Sequence, residues 1–131
     1  MRLYLVRHAE AEPGDPDELR RLTPEGIRQA RELGARLRSE GLKPNAILTS
    51  PLLRARETGD ELGMALGRNP ETDERLAPGA TADGLRAAVS GRGELVVAIC
   101  HQPDCGQIAA ALSGGPEPRF PAGGLAVVDL D

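Results

Sequence analysis

Glu94 opens the most constraining stretch of the chain, the continuous β-rich run Leu95-Val96-Val97-Ala98-Ile99-Cys100. A strand with no polar residue to turn toward water is buried on both faces. It belongs at the centre of a largely parallel sheet whose two faces are covered by helices. Shorter runs repeat the theme. Leu3-Tyr4-Leu5-Val6 is apolar and bounded by charge, Asn45-Ala46-Ile47-Leu48-Thr49 leads into Ser50-Pro51, and Leu125 to Leu130 reads as a last strand.

Helical patterns fill the gaps. Residues 10 to 22 are acidic and Pro-rich and read as a loop. Thr23 suits an N-cap and Pro24 a first helical position; Ile27, Ala30, Gly34 and Leu37 then recur at helical spacing until Gly41. Ser50-Pro51 repeats the cap-and-proline signal, and a second helix is expected from Leu52 to about Leu66, stopped by Gly67. Residues 68 to 79 form an irregular connection with one short extended piece near Thr72 to Leu76. Thr81 caps a third helix through Leu85, Ala88 and Val89. A fourth starts at Pro103 and stops at Gly114-Gly115. Strands alternating with helices predict an α/β fold, a three-layer α/β/α sandwich with a mostly parallel central sheet.

The 131 residues suit one domain, 1–131, built around a single core. Tyr4 and Phe120 are the only aromatics, so stacking platforms for single-stranded nucleic acid are missing. The net charge of −4, with no basic block, also argues against a nucleic-acid partner. No apolar run approaches the ~20 residues of a membrane span, and the N-terminus lacks a signal-peptide pattern. No membrane partner and a cytoplasmic location are therefore expected. Cys100, His101 and Cys105 offer three possible metal ligands, with His8 needed to complete a set. The spacing is unlike familiar zinc patterns, and Cys100 closes an apolar run where a free thiol is commonly buried. The expectation is no metal and no cofactor.

The chemistry gathers where strands end. In open α/β sheets ligands bind outside the carboxyl ends of the strands. Arg7-His8 follows the first strand, Ser50 with Arg54 follows the second, and His101 follows the central one. A guanidinium is a planar fork of donors suited to phosphate oxygens, and an imidazole can act as nucleophile or proton carrier. Arg54 falls in the first turn of a helix, where free backbone N–H groups favour an anion. Each group alone is equally compatible with a solvated strand or helix end. Their coincidence at one rim is not.

Arg7-His8 after a buried strand, Leu22-Thr23-Pro24-Glu25-Gly26, Ser50-Pro51-Leu52-Leu53-Arg54-Ala55-Arg56-Glu57-Thr58, and Val97 to His101 together resemble the histidine phosphatase superfamily. That superfamily is also called phosphoglycerate-mutase-like. The match runs in order over nearly the whole chain, and the short length is similar to the bacterial protein-phosphohistidine phosphatases, which act on phosphotransfer domains of sensor kinases. The resemblance implies His8 as the nucleophile that becomes phosphorylated. It also implies Arg7, Arg54 and His101 as the groups holding the phosphoryl oxygens, with Ser50 placed among the phosphate-binding residues and no metal required. The implied partner is a phosphorylated His-containing protein or a small phosphorylated substrate. A bound phosphoryl group would favour a protonated His101.

Two departures refine this expectation. The family's usual Arg-His-Gly is here Arg7-His8-Ala9, which predicts ordinary backbone angles at Ala9 or tolerated strain. Phosphomonoesterase members carry a catalytic acid before the third helix; here Asp73, Glu74 and Asp83 occur in that segment, none clearly in the acid's place. An imidazole leaving group needs less help than an alkoxide, so the gap favours phosphohistidine. The alternatives are a small-molecule phosphomonoesterase of the same fold using one of those acids, and a non-catalytic phosphate-binding module. Family members often run longer, which leaves room for a further C-terminal piece after Asp131. The oligomeric state is not legible.

Overall fold

A computed structural model describes residues 1–130; Asp131, and any piece beyond it, lies outside the described residues. The elements run β1 (Arg2–Arg7), α1 (Pro24–Ser39), β2 (Ala46–Thr49), α2 (Leu53–Leu66), β3 (Glu71–Thr72), α3 (Ala82–Val89), β4 (Leu95–Cys100), α4 (Asp104–Ser113) and β5 (Leu125–Asp129). Single 3-10 turns occupy Asp17–Leu19 and Glu74–Leu76. One sheet joins the strands in the order β3-β2-β4-β1-β5, parallel except for β5, which runs antiparallel along β1. No helix among the described residues is long and apolar enough to cross a membrane.

The strands alternate between two buried faces, as their period of two requires. Leu3, Leu5, Ala46, Leu48, Val96 and Ala98 pack with Leu85, Ala88 and Val89 of α3 and Ile108 and Ala109 of α4. Val6, Ile47, Val97 and Ile99 turn the other way, against Leu33 and Leu37 of α1 and Ala55 and Leu62 of α2. The expected three layers follow, with β4 central and wholly buried after Leu95. Thr23 caps α1 by accepting the Gly26 N–H at 2.9 Å, and Thr81 caps α3 by accepting the Gly84 N–H at 3.0 Å. Gly67 ends α2 at φ +70°, a conformation costly for any residue with a Cβ.

Three local expectations are corrected. The N-cap of α2 is Leu52 rather than Ser50: both Ala55 and Arg56 donate to the Leu52 carbonyl, and no side chain caps the helix. The Ser50 hydroxyl is turned elsewhere. The extended piece after α2 is Glu71–Thr72, earlier than Thr72 to Leu76, because residues 74–76 coil into the 3-10 turn capped by Asp73. Pro103 is the N-cap of α4, not its first residue.

Candidate active site

Parallel register builds the site. Arg7 lies opposite Cys100, and Thr49 opposite Ile99, so β1, β4 and β2 end side by side. The pairing continues one residue further: His8 N–H donates to the Cys100 carbonyl at 3.1 Å and Ser50 N–H to the Ile99 carbonyl at 3.0 Å. His8, His101 and Ser50 therefore occupy three adjacent strand ends. The imidazole centroids of His8 and His101 are 5.1 Å apart, close to the ~4.8 Å spacing of neighbouring strands. Both rings are buried.

His8 Nδ1 lies 2.7 Å from the Ala9 carbonyl oxygen. A carbonyl only accepts, so Nδ1 carries the proton and Nε2 keeps its lone pair. His101 Nε2 lies 2.7 Å from Ser50 Oγ. Burial lowers His8 from 6.5 to about 4; the Ala9 carbonyl opposes this, and the cations Arg54, Arg7 and Arg20 reinforce it. Burial likewise lowers His101 from 6.5 to about 3, reinforced by His8 and Arg54 and opposed by Asp17. Both rings are neutral at pH 7 in this state of the protein. The protonated His101 expected with a bound phosphoryl group is not its condition here, because desolvation and neighbouring guanidiniums disfavour a second cation.

The arginines are fixed by carbonyls. Arg7 Nη1 donates to Phe120 O at 2.8 Å, and Arg54 donates through Nη1 to Asp17 O at 2.8 Å and through Nη2 to Asp17 Oδ2 at 3.1 Å. Arg54 is buried, whereas Arg56, two positions on, is exposed. Arg7 Nε, Arg54 Nε and His101 Nδ1 are buried without a hydrogen-bond partner. Ser50 Oγ touches His101 and accepts from Leu52 N–H at 3.2 Å; its contacts tie it to the second imidazole.

Several supporting residues escape sequence reasoning. Asp17, on the acidic loop, clamps Arg54 and also pairs with Arg20, whose Nη1 lies 2.9 Å from its carboxylate. Those two guanidiniums, Arg20 first, hold the Asp17 carboxyl below its ordinary range. Thr58, one turn beyond Arg54, accepts the Ala9 N–H at 3.0 Å, and Glu57 accepts the Leu22 N–H at 2.8 Å. For Glu57 and Thr58 the helical spacing from Arg54 is the signal that could have found them; no local signal marks Asp17. Ala9 has an ordinary backbone, since no non-glycine residue described has positive φ, and its methyl packs with Leu22 and Ala30.

The acidic segment before α3 is spoken for or exposed. Asp73 caps the 3-10 turn and pairs with Arg75 at 2.7 Å, which holds its carboxyl low and makes it a poor proton donor. Glu74 and Asp83 are exposed. Cys100 and Cys105 are free thiols that lie against each other inside the apolar layer with α3 and α4, while His101 faces Ser50, and no three His, Cys, Asp or Glu among the described residues are grouped to hold a metal ion.

A pair of buried imidazoles near the Arg7 and Arg54 guanidiniums, at the carboxyl edge of a parallel sheet, is an arrangement whose N–H donors suit an oxyanion. The chain belongs to the histidine phosphatase superfamily: the profile of its branch 1 matches residues 3–79. The phosphohistidine phosphatase SixA of Escherichia coli is 30% identical over 139 residues, covering 100% of this chain and 86% of that protein. A Picosynechococcus protein is 38% identical over 127 residues, covering 88% of this chain and 74% of its own. The solved structure of the protein histidine phosphatase SixA complexed with tungstate superimposes with a TM-score of 0.91 at 29% identity, over all of this chain and 89% of that one. The chain is thus a hydrolase of the histidine-phosphatase type with a phosphoglycerate-mutase-like fold.

Proposed function

We propose that the protein removes phosphate from phosphohistidine on proteins through a phospho-His8 intermediate. The observation that carries this reading is the set of buried, unpartnered nitrogens Arg7 Nε, Arg54 Nε and His101 Nδ1, on two guanidinium side chains that lower the proton affinity of His8 and on the imidazole packed against it. Unpaired buried donors are costly, and an oxyanion is the kind of acceptor that guanidinium and imidazole N–H groups bind best. A similar protein is known with tungstate, an oxyanion of that shape.

His8 Nε2 attacks phosphorus in line. The new P–Nε2 bond forms as the P–N bond of the substrate breaks, while Arg7, Arg54 and His101 hold the equatorial oxygens. The leaving imidazole departs neutral when its other ring nitrogen already carries a proton. Water then attacks phospho-His8 and the P–Nε2 bond breaks. His8 also departs neutral, because its Nδ1–H stays bonded to the Ala9 carbonyl. Neither step needs a carboxylic acid, which accords with the engagement of Asp73 by Arg75.

A substrate panel tests the reading. Activity on a phosphohistidine protein should exceed that on phosphoserine or sugar phosphates by at least about a hundredfold in kcat/KM, the low end of what a general acid contributes. His8→Ala should abolish turnover and acid-labile labelling. Strong alkyl-ester hydrolysis that is lost in Asp73→Asn, Glu74→Gln or Asp83→Asn would replace this reading with a phosphomonoesterase.

A further inference from the structure

Ser50 is completely buried, so each of its hydrogen-bonding groups must find a partner inside the protein. Its oxygen accepts the Leu52 N–H at 3.2 Å and lies 2.7 Å from His101 Nε2. A hydroxyl also carries a proton that needs an acceptor. His101 Nε2 supplies one only if it is itself unprotonated. Were Nε2 the protonated nitrogen, two donors would converge on Oγ, and the buried Ser50 proton would be left without the ring nitrogen as acceptor. The ring's remaining nitrogen, Nδ1, is buried and unpartnered.

We propose that Ser50 is a positioning residue that holds His101 as the neutral Nδ1–H tautomer, so that this imidazole donates a hydrogen bond to the phosphoryl group without having to be protonated. The chain Leu52 N–H to Ser50 Oγ–H to His101 Nε2 orients each donor toward the next acceptor and leaves the proton on Nδ1, the ring nitrogen that has no partner within the protein. Arg54 and His8 both oppose a positive charge on the ring, and only Asp17 favours one, so a neutral donor suits its surroundings. His8 is held as Nδ1–H by the Ala9 carbonyl. Both histidines of the chain would then adopt the tautomer less favoured by free histidine, each for a different structural reason: one exposes a lone pair, the other a proton.

The identity of the phosphoryl acceptor rests on the phosphatase reading above, but the tautomer does not. Long-range proton–nitrogen correlation spectra of the unliganded protein at pH 7 read it directly, with His8→Ala assigning the two rings. His101 should show a pyrrole-type Nδ1 and a pyridine-type Nε2. Ser50→Ala should move His101 toward the Nε2–H form and lower kcat by about tenfold to a hundredfold, less than the roughly 100- to 1000-fold for losing an oxyanion donor outright because the ring itself remains. Ser50→Thr should restore both. A wild-type His101 that is Nε2–H or doubly protonated overturns the proposal, and that spectrum decides even if Ser50→Ala fails to fold. A folded Ser50→Ala with unchanged tautomer and unchanged kcat overturns it equally. The expected tautomer with no turnover of phosphohistidine would count against the substrate reading alone.

Discussion

Replacing Arg54 by alanine should separate site chemistry from helix surface more cleanly than any other single change. Arg54 is buried; Nη1 and Nη2 are bonded to Asp17, and Nε is left unpartnered. The side chain is held in place by Asp17, so on the proposed mechanism its loss should appear in kcat/KM for the phosphoryl substrate. Removing one such contact costs about 3 kcal/mol, or roughly 100- to 200-fold in kcat/KM. Arg56 is the internal control, because positions two apart on a helix are separated by about 200°. It is exposed, and Arg56→Ala should stay within about twofold of wild type. Arg54→Lys should recover only part of the loss, since an ammonium keeps charge but not the fork that binds Asp17 and oxyanion together. The assay is steady-state hydrolysis of a phosphohistidine protein, with circular dichroism to verify folding. Equal losses from Arg54→Ala and Arg56→Ala would refute the assignment of the pocket to the buried face of α2.

Two further outcomes follow from packing and burial. A Cβ built on Gly26 would lie 2.0 Å from the Glu10 carbonyl oxygen, a backbone atom that cannot swing aside. Gly26→Ala should therefore destabilise the protein by about 1–3 kcal/mol and lower activity by displacing the segment after His8; an unchanged Tm would show that α1 does not dock there. The histidines give a pH signature. Folded values of about 4 for His8 and about 3 for His101 lie below the ordinary 6.5, so on acidification the unfolded chain takes up protons first. Stability from this source is intact above about pH 6.5 and falls as pH drops through 6.5 toward 4, with a slope of up to about 1.4 kcal/mol per pH unit per histidine. Urea unfolding between pH 7 and pH 5 should show a shallower slope in His8→Ala, and identical slopes would mean that His8 is not desolvated.

What the sequence determined by itself is what local patterning encodes. Continuous apolar runs specify buried strands, and Thr23-Pro24 and Thr81 specify helix starts, because these signals depend on neighbours along the chain. The placement of His8 and His101 just past strand ends was legible for the same reason, although Arg7 is itself the last residue of β1. So was the opposed exposure of Arg54 and Arg56, which helical periodicity alone imposes. Ser50 marks the limit: a serine before a proline reads as a cap, and only the approach of β4 beside β2 shows that its hydroxyl has a better partner in His101. Asp17 was invisible because its partner Arg54 lies 37 residues away; Thr58 shares a helical face with Arg54, but its bond to the Ala9 N–H, 49 residues away, was not legible. The charge state of the pocket is likewise tertiary. An imidazole's affinity for a proton follows from the water it loses and the guanidiniums it gains, and both are set by strands that meet only in the folded sheet.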